Sequence, residues 1–267
     1  MKILINEPTV IQEFEFSDTS FDIFHSMCTV DDVDYTFTRN VRYQQWVDTK
    51  VAVNGQLLGA GEDPRAFDLL GTPACYSVRF NEWERFVPQL FLKYDDDWIC
   101  LKIKMGDNTS AGKNWSPFVY NNEVYFVHEI SPFRVLKLNG DTVTTEFVKD
   151  MSAPNMPIDN YPVLRGGCNG LDIGNGIVLG FGHDNHATGG IDSIKHRPYA
   201  WALDMNSQSV ELIESSAEWD NKYNIIDPTA FIVKNNEYFL MTCETESQWK
   251  RSSQTGRSCL YPISITR

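Results

Sequence analysis

Two distant stretches of this chain spell the same hairpin, and that repetition limits the possible folds more than any other feature. Ser116-Pro117-Phe118-Val119-Tyr120-Asn121-Asn122-Glu123 runs into Tyr125-Phe126-Val127-His128-Glu129. Much later, Asp227-Pro228-Thr229-Ala230-Phe231-Ile232-Val233-Lys234-Asn235-Asn236-Glu237 runs into Tyr238-Phe239-Leu240 and on to Glu244. Each is a β-rich run, a two-residue asparagine turn and a second β-rich run. Asp63-Pro64-Arg65-Ala66-Phe67 copies the opening of the unit, and a divergent copy extends from Leu164-Arg165-Gly166-Gly167 to Gly180-Phe181-Gly182-His183. The starts at 63, 116, 165 and 227 are spaced by roughly 40–60 residues, the length of a propeller blade. Over 267 residues that spacing predicts about five units. The expected fold is all-β, a single five-bladed β-propeller domain over 1–267.

Other segments agree. Val51-Ala52-Val53-Asn54-Gly55-Gln56-Leu57-Leu58, the run from Leu92 to Leu101 through Asp95-Asp96, and the run from Gly170 to Leu179 all read as strand, turn, strand. An alternating βα barrel is disfavoured because the amphipathic helices it needs are missing. A β-sandwich would leave the repeat unexplained.

Charge and composition narrow the function. The 36 acidic against 23 basic residues give a formal net charge of −13, with no run of Lys and Arg, so nucleic acid is excluded as a partner. The opening Met1-Lys2-Ile3-Leu4-Ile5-Asn6-Glu7-Pro8 lacks the apolar stretch of a signal peptide. No later run approaches the ~18–20 apolar residues of a membrane span. The expectation is a cytoplasmic protein without a membrane partner. The six cysteines, at 28, 75, 100, 168, 243 and 259, form no C-x-x-C pair and lie far from any histidine in metal-ligand spacing. They read as reduced, half-buried thiols, Cys168 standing out only for its neighbours. No metal site is expected.

A propeller turns the repeat into a map, because the start of each blade's innermost strand faces one central funnel. Glu62, Asp63, Arg65, Lys113, Asn114, Trp115, Arg165 and Asp227 lie at or beside those starts, and Glu129, His183 and Glu244 at the far ends of the hairpins that follow. Gly61-Glu62-Asp63-Pro64-Arg65 is the sharpest signal: two carboxylates and a guanidinium on a turn, with Asp-Pro recurring at 227. The bland alternative is an aspartate capping its own turn. Lys113-Asn114-Trp115 offers a cation, an amide and an indole, the means of stacking and bridging a sugar, or else a core tryptophan. Arg165 beside two glycines and Arg197 after His196 add cations suited to phosphate or carboxylate. Gly174-Asn175-Gly176 reads as a hairpin turn, since no helix follows it. Asp32-Val33-Asp34 and Asp95-Asp96-Asp97 read as solvated turns.

These residues resemble the five-bladed-propeller carbohydrate-active enzymes. Gly61-Glu62-Asp63-Pro64-Arg65 is similar to the first-blade motif of glycoside hydrolase family 130, in which the aspartate is the catalytic acid. Lys113 to Phe118, Tyr125-Phe126, Ser131-Pro132, Val135-Leu136, Leu164 to Gly167 and His196 to Asp204 resemble a propeller module of bacterial and large-virus glycan-assembly proteins. The resemblance covers roughly residues 35–245 as scattered motifs. It departs from families 43 and 32, which spread three carboxylates over successive blades, because Ser116 and Arg165 stand at the second and third starts.

The resemblance implies catalysis by Asp63, backed by Glu129 and Asp227. Arg39, Glu62, Arg65, Lys113, Asn114, Trp115, Arg165, His183, Arg197 and Glu244 are the expected binding residues. A cationic ring in an acidic protein suits a phosphate-bearing reactant. The leading expectation is therefore a glycosyltransferase, with a nucleotide-sugar donor, a glycan acceptor and Asp63 as general base; no cofactor is firmly implied, and metal dependence stays open. The alternatives are a phosphorylase or hydrolase of the family-130 type, with Asp63 as acid, and a non-catalytic glycan- or protein-binding propeller.

Overall fold

The computed structural model describes residues 1–16, 20–42, 49–81, 85–107, 112–151, 163–187, 194–213, 215–247 and 255–266. The described residues hold 24 strands and no helix, and so no helix long and apolar enough to cross a membrane. In chain order the first two are β1 (Lys2–Ile5) and β2 (Thr9–Glu15). The first blade is β3 (Ser20–Val30), β4 (Val33–Arg42), β5 (Lys50–Val53) and β6 (Gln56–Ala60). The second is β7 (Glu62–Asp68), β8 (Pro73–Asn81), β9 (Arg85–Tyr94) and β10 (Asp97–Lys102). After β11 (Lys104–Met105) comes the third: β12 (Ser116–Tyr120), β13 (Glu123–Ile130), β14 (Phe133–Asn139) and β15 (Thr142–Lys149).

The fourth blade has a broken innermost strand. Both β16 (Leu164–Arg165) and β17 (Leu171–Asp172) pair with β18 (Ile177–Ala187), which continues to β19 (Ile194–Asp204) and β20 (Ser209–Ile213). Following β21 (Ser215–Ser216), the fifth blade is β22 (Ile225–Lys234), β23 (Glu237–Thr245) and β24 (Thr255–Thr266). Its outer edge is completed by the N-terminus, since β1 and β2 both pair antiparallel with β24. That pairing covers an edge that would otherwise expose unpaired backbone groups. Among the described residues, one bridge, His196 to Ile225, joins β19 of the fourth blade to β22 of the fifth.

The asparagine turns explain why the hairpins form where they do. Asn54-Gly55, Asn121-Asn122 and Asn235-Asn236 have positive φ at both residues, the backbone of the two-residue turns that match strand twist. Asp31-Asp32 does the same between β3 and β4. Asp32-Val33-Asp34 is thus a turn and the strand after it, with Asp34 paired to Lys234 at 2.8 Å. Asp95-Asp96 likewise lies in the turn between β9 and β10.

Both faces of most blades are buried, so the strands lack simple polar–apolar alternation. Phe126, Leu136 and Val143 pack against Phe67, Tyr76 and Leu90 of the second blade. From the opposite face of the same sheet, Val127, Phe133 and Val135 pack against Val178, Trp201 and Leu203 of the fourth. Leu179, Phe181 and Ala202 meet Phe231, Leu240 and Tyr261 of the fifth. Phe37 and Val51 meet Cys75 and Phe91, and Met27 meets Ile232 and Met241 to close the ring. Each fully buried side chain of this kind contributes about 1.5–3 kcal/mol of transfer free energy.

Inner strands are also cross-linked by hydrogen bonds. Asn169 Nδ2 donates to the Phe231 carbonyl and its Oδ1 accepts from Phe231 N, both at 2.8 Å. Ser26 Oγ donates to the Thr229 carbonyl and accepts from Ala66 N. Gly170 N donates to the Pro117 carbonyl.

All six cysteines are free thiols, and all but Cys100 are buried rather than half-buried. Cys168 is fully enclosed, and burial pushes its thiol up to about 12, so it stays a protonated packing residue.

Candidate active site

The funnel at the blade starts holds a cavity of about 150 Å³. Its charged wall is Arg39, Asp63, Arg65, Lys113, Arg165 and Asp227, with Asn114, His183 and His196 beside them. The sequence analysis named eight of these nine; His196, seen only as a neighbour of Arg197, is the omission. Phe24 and Thr245 also line the cavity, and no motif marks them.

A shared backbone device aims the side chains inward. Phe24 and Asp63, at register slips in the inner strands β3 and β7, and Asn114, just before β12, have φ of +53°, +52° and +67°. A non-glycine residue there costs about 1–3 kcal/mol, and such strain gathers at functional positions. The second-blade register slips between Glu62 and Arg65, so that both Glu62 and Asp63 reach the same guanidinium. The fifth-blade register slips between Pro228 and Ala230. At the broken fourth strand Gly166 is required by close approach, because a Cβ there would sit 1.9 Å from the Asn114 carbonyl oxygen.

Asp63 is 7% exposed. Its Oδ1 accepts from Arg39 Nη1 at 2.9 Å, and Lys113 Nζ lies 3.8 Å from Oδ2. Burial alone would raise the Asp63 pKa, but Lys113, Arg39 and Arg65 outweigh it and hold the carboxyl below the ordinary range. The adjacent Glu62, 3.1 Å from Arg39 Nη2, moves the other way, raised by burial and by the charge of Asp63.

Asp227 has different company. His196 Nδ1 donates to its Oδ1 at 2.7 Å and His183 Nδ1 lies 3.6 Å from the same oxygen, the two imidazoles stacked at 4.6 Å. Desolvation opposes its charge, yet His196 and Arg65 keep Asp227 below the usual carboxylate range. Burial pushes His183 down to about 3, so its contact with Asp227 is not an ion pair. Arg65, 1% exposed, lowers the pKa of both aspartates; among the described residues its Nε and Nη1 have no hydrogen-bond partner.

Other expected site residues are placed elsewhere. Trp115 is completely buried and stacks on Tyr76 at 5.4 Å, so its indole fills the core between the second and third blades and offers no face to a sugar. Glu244 is also fully buried, bound by Arg257 Nε at 2.7 Å, Tyr261 Oη at 2.5 Å and Thr242 Oγ1 at 3.0 Å. It anchors the fifth blade and does not line the cavity. Arg197 donates to the carbonyls of His196 and Asn224 and likewise stays out of the funnel. Glu129 pairs with Arg134 at 3.0 Å and lines a second cavity, of about 280 Å³. The two cavities share Lys113, Asn114 and Arg165, which makes them neighbours along one groove.

Four permanent cations against two carboxylates leave the funnel positive inside an acidic protein. Such a wall suits a ligand with an anionic group.

No protein-family model matches this chain, and no curated protein sequence does. Solved structures do match over nearly the whole length. An exo-1,5-alpha-L-arabinanase from a bovine ruminal metagenomic library is similar at a TM-score of 0.59 and 11% identity, over 95% of this chain and 97% of that one. An alpha-L-arabinofuranosidase from Lactobacillus brevis has a TM-score of 0.61 and 10% identity, over 95% and 94%. The catalytic domain of the Coprinopsis cinerea GH62 alpha-L-arabinofuranosidase has a TM-score of 0.56 and 7% identity, over 98% and 96%. The chain therefore has the five-bladed propeller fold that these carbohydrate-active enzymes share.

Proposed function

We propose that the funnel cleaves a glycosidic bond in a glycan that carries an acidic group. One observation carries the reading: adjacent carboxylates, Glu62 and Asp63, lie on one guanidinium with their pKa values pushed in opposite directions. Environments that separate two titratable groups in this way assign a base and an acid. Asp63, kept ionised, takes a proton from a water molecule as the water oxygen bonds to the anomeric carbon. The bond from that carbon to the leaving oxygen breaks, and Glu62, held on Arg39 outside the residues that line the cavity, supplies the leaving oxygen's proton through one intervening water. Arg65, Lys113 and Arg165 hold the anionic group of the substrate. The family-130 role of Asp63 as acid fits less well, because its carboxyl is lowered.

Sugar transfer from a nucleotide donor is supported only by the surplus of cations, whereas the similar folds belong to glycan-cleaving enzymes. The test offers arabino- and xylo-oligosaccharides and uronate-bearing oligosaccharides in phosphate-free buffer, then with inorganic phosphate, then with nucleotide sugars. New reducing ends without phosphate are expected. A sugar phosphate formed only with inorganic phosphate would make the chain a phosphorylase. Consumption of a nucleotide sugar without cleavage would restore the transferase, and binding without turnover would leave a glycan-binding propeller.

A further inference from the structure

His183, His196 and Asp227 meet across two blades. In the β18–β19 register His183 stands opposite Pro198 and His196 opposite Asn185. The two histidines are therefore diagonal neighbours on one face of the sheet. The His196–Ile225 bridge brings the start of β22, and so Asp227, beside them. All three are buried, at 3%, 5% and 6% exposure, and all three line the cavity. One donor atom from each lies within 4.8 Å of the others.

We propose that these three side chains bind a divalent first-row transition ion of the zinc class. Donors bound to such an ion at ~2.0–2.2 Å lie roughly 3.0–3.5 Å apart. The Nδ1-to-Oδ1 distances of 2.7 and 3.6 Å bracket that range, so a small side-chain adjustment admits the ion. Binding at His196 Nδ1 displaces the proton that this nitrogen donates to Asp227, so affinity falls as pH falls. Two imidazoles select against calcium and magnesium, which take oxygen ligands. Three protein ligands leave positions open toward the cavity, the arrangement of a reactive rather than a structural centre. Arg65 and Arg165, which line the same cavity, repel a dication. Binding is therefore weaker than at a closed cysteine site. The proposal does not depend on the reaction proposed above.

The test titrates chelator-treated full-length protein with Co²⁺, read by its visible absorption, and with Zn²⁺ by calorimetry. X-ray absorption of the zinc-loaded protein then counts the imidazoles. One ion per chain, two imidazoles at ~2.0–2.1 Å and displacement of Co²⁺ by Zn²⁺ are expected. His183→Ala should weaken binding by at least 10–100-fold, while His186→Ala, at the exposed His186–Asp184 pair, should not. No saturable binding up to about 1 mM ion, fewer than two imidazoles, preference for Ca²⁺ or Mg²⁺, or sensitivity to His186→Ala would each overturn the site. The absorption measurement needs no variant, so misfolding of His183→Ala would not shield the proposal.

Discussion

The chain uses Asp-Pro twice, at Asp63-Pro64 in the second blade and at Asp227-Pro228 in the fifth, and surrounds the two aspartates differently. Both are buried at the start of an inner strand beside a slip in register, and both carboxyls are held below the ordinary range. Asp63 has permanent cations, Arg39 and Lys113, and sits at φ +52°. Asp227 has two stacked imidazoles and is absent from the left-handed residues. The same dipeptide thus yields one carboxylate fixed in a cationic clamp and one placed among metal-ligand donors. Local sequence sets where a carboxylate points, and the neighbouring blades set what it can do.

The strongest way to break this contrast is to neutralise each aspartate in turn. Asp63→Asn removes the proposed base and should lower turnover by about 10²–10⁴-fold. Asp227→Asn should cost turnover only about tenfold, the equivalent of one weakened hydrogen bond. Steady-state kinetics on the same oligosaccharide decides; equal losses would erase the division of labour.

Partner deletion comes next. Arg39→Ala would leave Glu62 and Asp63 buried side by side without their bridging cation, for an expected stability loss of about 3–5 kcal/mol. His196→Ala removes one hydrogen-bond donor from Asp227 and should cost about 1–3 kcal/mol. Urea unfolding of both variants at neutral pH measures the difference.

A pH series sharpens the comparison further. Asp63 has a lowered pKa, so its contribution to stability is present above the unfolded carboxylate value near ~3.9 and is lost as pH falls through the lowered folded value. Glu62 is raised, so stability declines as pH climbs from the unfolded value near ~4.3 through the raised one. Turnover should follow a bell whose alkaline limb reports Glu62. Glu62→Gln should remove that limb along with much of the rate; a limb that persists would assign the proton to another group.

The smallest effect is expected at Lys234, which lies on the same strand as Asp227 but on the surface. Its pair with Asp34 joins the fifth blade to the first with both side chains well exposed. Lys234→Ala should cost at most ~1 kcal/mol, with turnover unchanged. A larger loss, seen as a shift in Tm, would mean that closure of the ring depends on this surface pair.

The sequence alone determined the strands, the turns and the number of blades. Hairpins are local: Asn-Asn and Asn-Gly supply the left-handed turn residues, and flanking β-branched and aromatic residues supply the strands, so both are legible within ten residues. The repeat then located Asp63, Arg65, Asn114, Arg165 and Asp227 at one funnel. The first blade, Ser20–Ala60, carries no Asp-Pro, and Phe24 stands where Asp63 stands in the next blade, so no motif announced it.

Tertiary structure decided what each candidate faces. Trp115 became core because two sheets close over it, and Glu244 became an anchor because Arg257 and Tyr261 reach it from the neighbouring strand β24. His183, His196 and Asp227 came together through strand register and an inter-blade bridge. Residues far apart in the chain meet only when register is set, and register is set by which face of each strand the packed sheets bury.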